Sequence, residues 1–150
     1  MRFAVIILLI FPFFSCGNDD KEISETEYAV SDTILAWETN ADSMIMKRDT
    51  TVPDSEITIK RIINGLNEKY PEVHVDVIKQ SGDTIYIEVP DGEHLGNQMG
   101  SAGSSAWFAD AVINLTSVPG INYVSFKMDV YSHASGGVIS REEYKDWKRQ

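Results

Sequence analysis

A segment in the middle of the chain alternates regularly between apolar and polar side chains, which leaves few folds open to it. Val73, Val75 and Val77 are separated by polar residues, and the same alternation returns over residues 85–89. A turn-forming sequence, residues 80–83, stands between the two halves. Because successive side chains of a β-strand point to opposite faces, this pattern predicts a β-hairpin with one buried face.

Two helices are predicted from apolar residues that recur at steps of three and four. The first begins at residues 54–55, whose side chains can cap the first turn, and ends before Pro71. The second begins at residues 104–105 and ends at residues 119–120. Their apolar faces consist of Ile59, Ile62, Ile63 and Leu66 in the first helix and Phe108, Ala111, Val112 and Leu115 in the second.

Three further strands are predicted, over residues 33–39, 43–48 and 124–130. The order is therefore β-β-α-β-β-α-β, which indicates a single small α+β domain over residues 32–130. We expect a mostly antiparallel sheet with the two main helices on one face. Residues 131–150 are expected to form a polar C-terminal tail with a short helix, since Ser140 and Glu143 have capping-box spacing.

Residues 1–15 are typical of a secretion signal. Arg2 precedes an uncharged apolar run of twelve residues, whereas a membrane-spanning helix needs about 20. The run ends at Ser15-Cys16-Gly17, which resembles the lipobox of bacterial lipoproteins, although Phe13 stands where that family prefers leucine. The resemblance implies that Cys16 is acylated and becomes the mature N-terminus. The alternative is an ordinary signal peptide followed by an unrelated cysteine.

Residues 16–31 form the expected lipidated acidic tether. The sequence after Cys16 resembles the acidic stretch that follows the lipid-bearing cysteine in surface-exported lipoproteins of Bacteroidota, and a solvated linker explains it equally. The resemblance implies a protein of the cell envelope that is lipid-anchored in the outer membrane, on its periplasmic or its surface face. Cys16 is the only cysteine, so neither an internal disulfide nor a Cys-rich zinc site is expected.

The charge of the chain excludes some classes of partner. With 13 basic and 23 acidic residues, the formal net charge is −10. Nucleic-acid binding requires clustered Lys and Arg to neutralise phosphates, and anionic lipid attracts basic segments. We therefore expect no nucleic-acid partner, and contact with the membrane only through the N-terminal lipid.

The stretch from Thr33 to about Val130 resembles the GerMN domain of spore-germination lipoproteins. The resemblance lies in the order of the elements and in the closing segment AVINLTSVPGINYVSFKMD, a helix that runs into a Pro-Gly turn and a strand. The Gly-Pro that usually closes the family's first helix is absent, because Gly65 is followed by Leu66. The resemblance implies a non-catalytic binding or scaffold module for an envelope protein or cell-wall material, without cofactor or catalytic residues.

Residues 90–103 contain four glycines and no periodicity, which predicts a long, mobile loop. If the domain binds a ligand, we expect this loop and the following helix start to bind it, because unpaired N–H groups meet adjustable backbone there. The candidate ligand-binding residues are Glu93, His94, Gly100, Gly103, Ser104 and Ser105.

Two alternatives to a binding module remain open at this point. One is a small hydrolase or metal-dependent enzyme that uses the loop Asp91–Ser105; Asp91, Glu93 and His94 are possible cation ligands there, but their spacing matches no known metal motif, and no metal is expected. The other is a purely structural envelope spacer. In addition, the triplet around Ser43 resembles the O-glycosylation sequence of Bacteroidota.

Overall fold

The computed structural model describes residues 32–150 of the protein. The predicted signal peptide, the lipidation at Cys16 and the acidic tether lie outside the described residues. The described elements are β1 (Trp37–Asn40), β2 (Ile45–Arg48), α1 (Ile59–Lys69), β3 (Asp76–Ser81), β4 (Thr84–Glu88), α2 (Gly100–Leu115), β5 (Tyr123–Lys127), β6 (Gly137–Ser140) and β7 (Lys148–Arg149).

The predicted α+β class, with one small domain and two main helices, is confirmed. The sheet differs from the prediction, because the strands form two sheets, ordered β1-β2-β7 and β3-β4-β5-β6. Both sheets are mixed: β4 pairs parallel to β5, and β2 pairs parallel to β7. The first of these follows from the connection, since α2 returns the chain between β4 and β5 and so leaves the two strands parallel.

Helix α2 packs with α1 in the core of the larger sheet and also contacts the smaller sheet on its other side. Ala109 and Ile113 pack with Met46 of β2, whereas Val112 and Leu115 belong to the larger core that includes β4 and β5. Because α2 is covered on opposite sides, residues 109–115 are fully buried without interruption, and five of these seven residues are apolar.

Helix α1 begins later than predicted. Residues 54–56 form only a short 3₁₀ turn, and the α-helix starts after Thr58, whose hydroxyl oxygen lies 3.4 Å from the amide nitrogen of Arg61. The predicted apolar face of this helix is confirmed, because Ile62, Ile63 and Leu66 are buried and Ile59 is partly buried. The helix ends at Lys69, before Pro71 as expected.

The central hairpin is confirmed as the antiparallel pair β3–β4, and Gly82 adopts the positive φ of 59° that its turn requires. The prediction of one buried face that includes Val77 is wrong. Val73 and Val75 are buried, but the register shifts between Val77 and Lys79, and Val77 is 44% exposed. Val77 precedes this shift and still pairs with Ile87. Its exposure follows from its place in β3, an edge strand whose six residues are all exposed.

The prediction of a long, irregular loop over residues 90–103 is wrong. Residues 94–98 form a π-helical turn, and α2 begins at Gly100, four residues before the predicted start. The glycines serve close packing there: a Cβ on Gly96 would lie 2.1 Å from the Cβ of Tyr131. Gly100 adopts a φ of 66°, which separates the two helical segments.

Residues 131–150, which were expected to be a polar tail, complete both sheets. Strand β6 pairs antiparallel to β5, and β7 pairs parallel to β2. The expected short helix is a 3₁₀ turn, Arg141–Tyr144, and Ser140 does cap it by accepting a hydrogen bond from the amide of Glu142 at 3.3 Å. β5 ends at Lys127, so the last part of the predicted strand 124–130 lies outside the sheet.

Candidate functional site

The six residues predicted to bind a ligand do not surround one cavity. Glu93 accepts a hydrogen bond from Asn97 at 3.0 Å, and the His94 ring lies 3.2 Å from the side-chain oxygen of Gln98. Both contacts are made along the same π-helical turn. They stabilise that turn. Of the two residues, only His94 also lines a cavity, a small one that Tyr70 lines as well.

The other predicted residues have structural surroundings of different kinds. Ser104 is buried, and its hydroxyl lies 2.5 Å from the carbonyl oxygen of Leu95 and 2.9 Å from that of Gly100. It therefore ties α2 to the preceding turn and is not the predicted cap. Gly103 packs against the Met99 side chain, and Ser105 is exposed. Within residues 32–150, no three His, Cys, Asp or Glu side chains are placed to hold a metal ion.

A serine–histidine contact occurs at the start of α2. The Ser101 hydroxyl lies 3.1 Å from Nδ1 of His133, beside an open cavity of about 560 Å³ that Phe108 also lines. Both side chains are exposed. A nucleophilic serine needs a base that is itself held by a third group, and no carboxylate among residues 32–150 is hydrogen-bonded to His133.

The most unusual polar residue is one that the sequence analysis missed. Asp110, in the middle of α2, has no exposed surface. Its Oδ1 accepts a hydrogen bond from Thr39 at 2.6 Å, and its Oδ2 accepts one from Lys69 and one from Tyr70, each also at 2.6 Å. A buried carboxylate is costly unless it is paired and hydrogen-bonded, and these three donors meet that requirement.

Asn114, one turn further along α2, continues this network to β1. Its side chain accepts a hydrogen bond from the amide of Trp37 at 2.9 Å and donates one to the carbonyl of Trp37 at 3.0 Å. It also donates to the carbonyl oxygen of Asp110 at 2.9 Å. Asp110 and Asn114 together fix β1 and the end of α1 against α2. The signal in the sequence was a pair of polar residues within an otherwise apolar helical run.

The hydroxyl of Tyr70 remains a proton donor in this network. Burial raises the pKa of Tyr70 far above its usual range, and the hydrogen bond to Asp110 raises it further. The raised pKa keeps the phenol neutral, which suits the donation of its proton to the buried carboxylate.

An open cleft lies beside this network, since Lys69 belongs to both. A cavity of about 540 Å³ adjoins one of about 400 Å³, and the two share Glu38, Lys47 and Lys69 as lining residues. We refer to the two cavities together as the Lys69 cleft. The larger one is lined by Leu35, Glu38, Lys47, Arg48, Asp49, Thr50 and Lys69.

Two charged residues that line the Lys69 cleft, Arg48 and Asp49, are fixed by hydrogen bonds and an ion pair to neighbouring residues. Arg48 donates to the carbonyl oxygens of Ala36 at 3.1 Å and Val52 at 2.8 Å, and it pairs with Asp54 at 2.9 Å. The Asp49 carboxylate accepts hydrogen bonds from the hydroxyl and the amide of Thr51, which lower its pKa. These contacts fix the segment that follows β2.

Comparison with known proteins returned no match: no family model fits the chain, and neither the curated proteins nor the solved structures that were searched include a similar one. The resemblance to the GerMN domain therefore stays a prediction. Among residues 32–150, no helix has the length and apolar character needed to cross a membrane. Ser43 lies exposed in the turn between β1 and β2, and its glycosylation also stays a prediction.

Proposed function

We propose that this protein is an envelope lipoprotein, anchored by lipid on Cys16, that presents a non-catalytic, GerMN-like binding domain to a protein partner or to cell-wall material. The anchor is supported by the position of the single cysteine, directly after the apolar run and Ser15. Attachment of diacylglycerol requires a thiol, and this chain has one thiol at the position where the lipobox needs it.

The observation that carries the binding role is the relation between the Lys69 cleft and the buried network beneath it. Asp110 has no exposed surface and accepts hydrogen bonds from three donors, so its carboxylate serves the fold and is not accessible to a ligand. Glu38 and Lys47, in contrast, are exposed at the cleft. A fixed side chain, Lys69, beside exposed polar walls suits the recognition of a ligand.

The anchor is tested by replacing Cys16 with Ala and labelling growing cells with a fatty-acid analogue. We expect Cys16→Ala to lose the label and to leave the membrane fraction. The matched control is Ser15→Ala, which keeps a small residue before the cysteine and should stay acylated. Normal labelling of Cys16→Ala would refute the proposed anchor.

The contact between Ser101 and His133, although it lacks a third orienting group among residues 32–150, is the observation behind a second candidate function, a small hydrolase at the start of α2. A fluorophosphonate probe, which reacts with activated serines, tests it directly. Labelling that is lost in Ser101→Ala but retained in Ser105→Ala would support the enzyme. Absence of labelling in the unmodified protein would reject it.

A further inference from the structure

We propose that the open cavity at the start of α2 binds a neutral saccharide. The cavity measures about 560 Å³, and small-ligand sites span about 300–1,000 Å³. We refer to it as the His133 cavity; it is lined by Ser101, Phe108, Ile139 and residues 130–135. It shares no lining residue with the Lys69 cleft, so the inference adds a second site and goes beyond the function proposed above.

The backbone of residues 131–134 is fixed against the π-helical turn that precedes α2. The amide of His133 donates a hydrogen bond to the carbonyl of Gly96 at 2.9 Å, and the amide of Tyr131 donates one to the carbonyl of Ala134 at 2.8 Å. The side chain of Tyr131 packs directly on Gly96. The side chains of this segment are therefore presented to the His133 cavity from a backbone that loses little conformational entropy when a ligand binds.

The polar groups of the His133 cavity are four hydroxyls and one imidazole, from Ser101, Tyr131, Ser132, Ser135 and His133. The hydroxyl of Ser101 lies 3.1 Å from Nδ1 of His133. The other three hydroxyls make no hydrogen bond to any residue between 32 and 150, so they are available to a ligand. A hydroxyl can both donate and accept, and it therefore matches a ligand whose own polar groups are hydroxyls.

The His133 cavity is uncharged in a chain that has 13 basic and 23 acidic residues. Within the described range 32–150, no Asp, Glu, Lys or Arg lines it, and no lining residue belongs to an ion pair. The groups that hold its backbone are uncharged as well, namely the carbonyls of Gly96 and Ala134 and the side chain of Asn97. A charged ligand would lose its hydration there without gaining a counter-charge, which disfavours carboxylates, phosphates and amines.

Apolar surface completes the His133 cavity. Phe108, Val130 and Ile139 line it, and Val130 is 83% exposed. The ring of Phe108 is held edge-on against the ring of Phe126, with 5.0 Å between their centres. A pyranose ring has C–H groups on its faces and hydroxyls on its rim, so it can contact the apolar and the polar lining together. A purely apolar ligand would instead leave the hydroxyls of the cavity without partners.

The density of the polar groups favours a saccharide over a neutral peptide. A peptide backbone offers one N–H and one C=O for each residue, and successive residues of an extended chain are about 3.3 Å apart. Five polar side chains within one cavity need more partners than a short backbone segment provides. A sugar ring concentrates several hydroxyls around six atoms. We therefore assign the cavity to a saccharide and treat a neutral peptide as the competing outcome.

The test is a titration of the full-length protein in a polyoxyethylene detergent, which has no sugar headgroup, followed by calorimetry and NMR. The probes are cellotetraose, chitotetraose and a blocked tetrapeptide of glycine and serine. We expect at least one tetrasaccharide to bind more tightly than the peptide. Its Kd should not change between about 0.05 M and about 0.5 M salt, because screening acts on charges. The amides of residues 130–135 should shift on binding.

Two variants test the assigned hydroxyls. Ser101→Ala and Ser135→Ala should each weaken binding of the saccharide about three- to tenfold, since each removes one hydrogen bond. The matched control is Ser105→Ala, an exposed serine of α2 that does not line the cavity, and it should leave the Kd unchanged. Thermal unfolding of all three variants verifies that each is folded.

Four results would overturn the proposal: no binding of either tetrasaccharide, tighter binding of the peptide, an affinity that survives both serine substitutions, or amide shifts confined to the Lys69 cleft. The amide shifts are measured on the unmodified protein, so they decide the matter even if a variant fails to fold. Acylation of Cys16 is measured separately. Failure of the saccharide test with normal acylation would therefore reject this site and leave the proposed anchor intact.

Discussion

The Nζ atom of Lys69 lies 2.6 Å from Oδ2 of Asp110, which joins the last residue of α1 to the middle of α2. The same carboxylate accepts hydrogen bonds from the hydroxyl of Thr39 in β1 and from the hydroxyl of Tyr70 at the end of α1. One buried charge thus fixes three segments that are distant in sequence. Its partner Lys69 lines both cavities of the Lys69 cleft, so the stability of the domain and the shape of its candidate site depend on the same contact.

Asp110→Asn should destabilise the domain by about 2–4 kcal/mol, because an amide cannot serve all three donors and leaves Lys69 without its counter-charge. The exposure of Lys69 keeps the value below that of a fully buried pair. Urea unfolding measures the change. Asp146→Asn, at an exposed position near the C-terminal 3₁₀ turn, is the matched control and should cost less than about 0.5 kcal/mol. Equal effects of the two substitutions would contradict the role assigned to Asp110.

Gly65→Ala should destabilise the protein although it improves the helix propensity of α1 by about 1 kcal/mol. A Cβ at this position would lie 2.5 Å from the carbonyl oxygen and 2.9 Å from the carbonyl carbon of Ile34. Backbone atoms cannot rotate away, so the helix must shift. Thermal unfolding should show a lower Tm for Gly65→Ala, whereas Glu68→Ala on the exposed face should change it little. A raised Tm for Gly65→Ala would show that the segment before β1 does not pack on α1.

Stability should fall as the pH rises from about 10 to about 12. Burial, with a smaller effect of Glu143, raises the pKa of Tyr144 to about 12. The folded state therefore holds this proton more firmly than the unfolded state, whose tyrosines titrate near 10. The resulting stability is complete below pH 10 and is lost as the pH passes through the pKa of the folded state.

The measurement for this prediction is urea unfolding of the wild type and of Tyr144→Phe at several pH values. The phenylalanine variant should lose less stability above pH 10, and a residual slope should remain because the pKa of Tyr70 is raised as well. Parallel stability curves for the two proteins up to pH 12 would contradict the assigned shift.

Amide hydrogen exchange should show protection at Gly96 and Met99. The amide of Gly96 donates to the carbonyl of Gly92 at 2.7 Å, and that of Met99 donates to the carbonyl of His94 at 3.0 Å. Gly96 is also buried against Tyr131. Exchange of both amides at the rate of an unstructured peptide would contradict this prediction and would support the mobile loop that the glycine content predicts.

Local periodicity predicted those parts of the fold that depend on neighbouring residues. The hairpin β3–β4 and the apolar face of α1 follow from side chains two to four positions apart, and both were found. The glycine content predicted a loop where the structure has helical turns. Gly96 is a glycine because Tyr131 packs against its backbone, and a contact between residues 35 positions apart cannot be predicted from the local sequence pattern.

Long-range pairing accounts for the remaining differences. The parallel pairing of β4 and β5 and the split into two sheets depend on how α2 packs, which composition does not encode. The candidate site was missed for a related reason. Lys69 and Asp110 are 41 positions apart, and each alone is an ordinary charged residue on a helix. Only the packing of α1 on α2 makes them a pair.

The pairing of β6 with β5 and of β7 with β2 has a consequence for the order of events during biogenesis. Neither sheet is complete until residues 137–149 are present. In the export proposed above, a chain that threads through a translocation channel from its N-terminus would deliver these residues after all the other described strands. Each sheet would therefore lack one edge strand until these residues emerge, which would keep the chain loosely structured during most of its passage and would delay final folding.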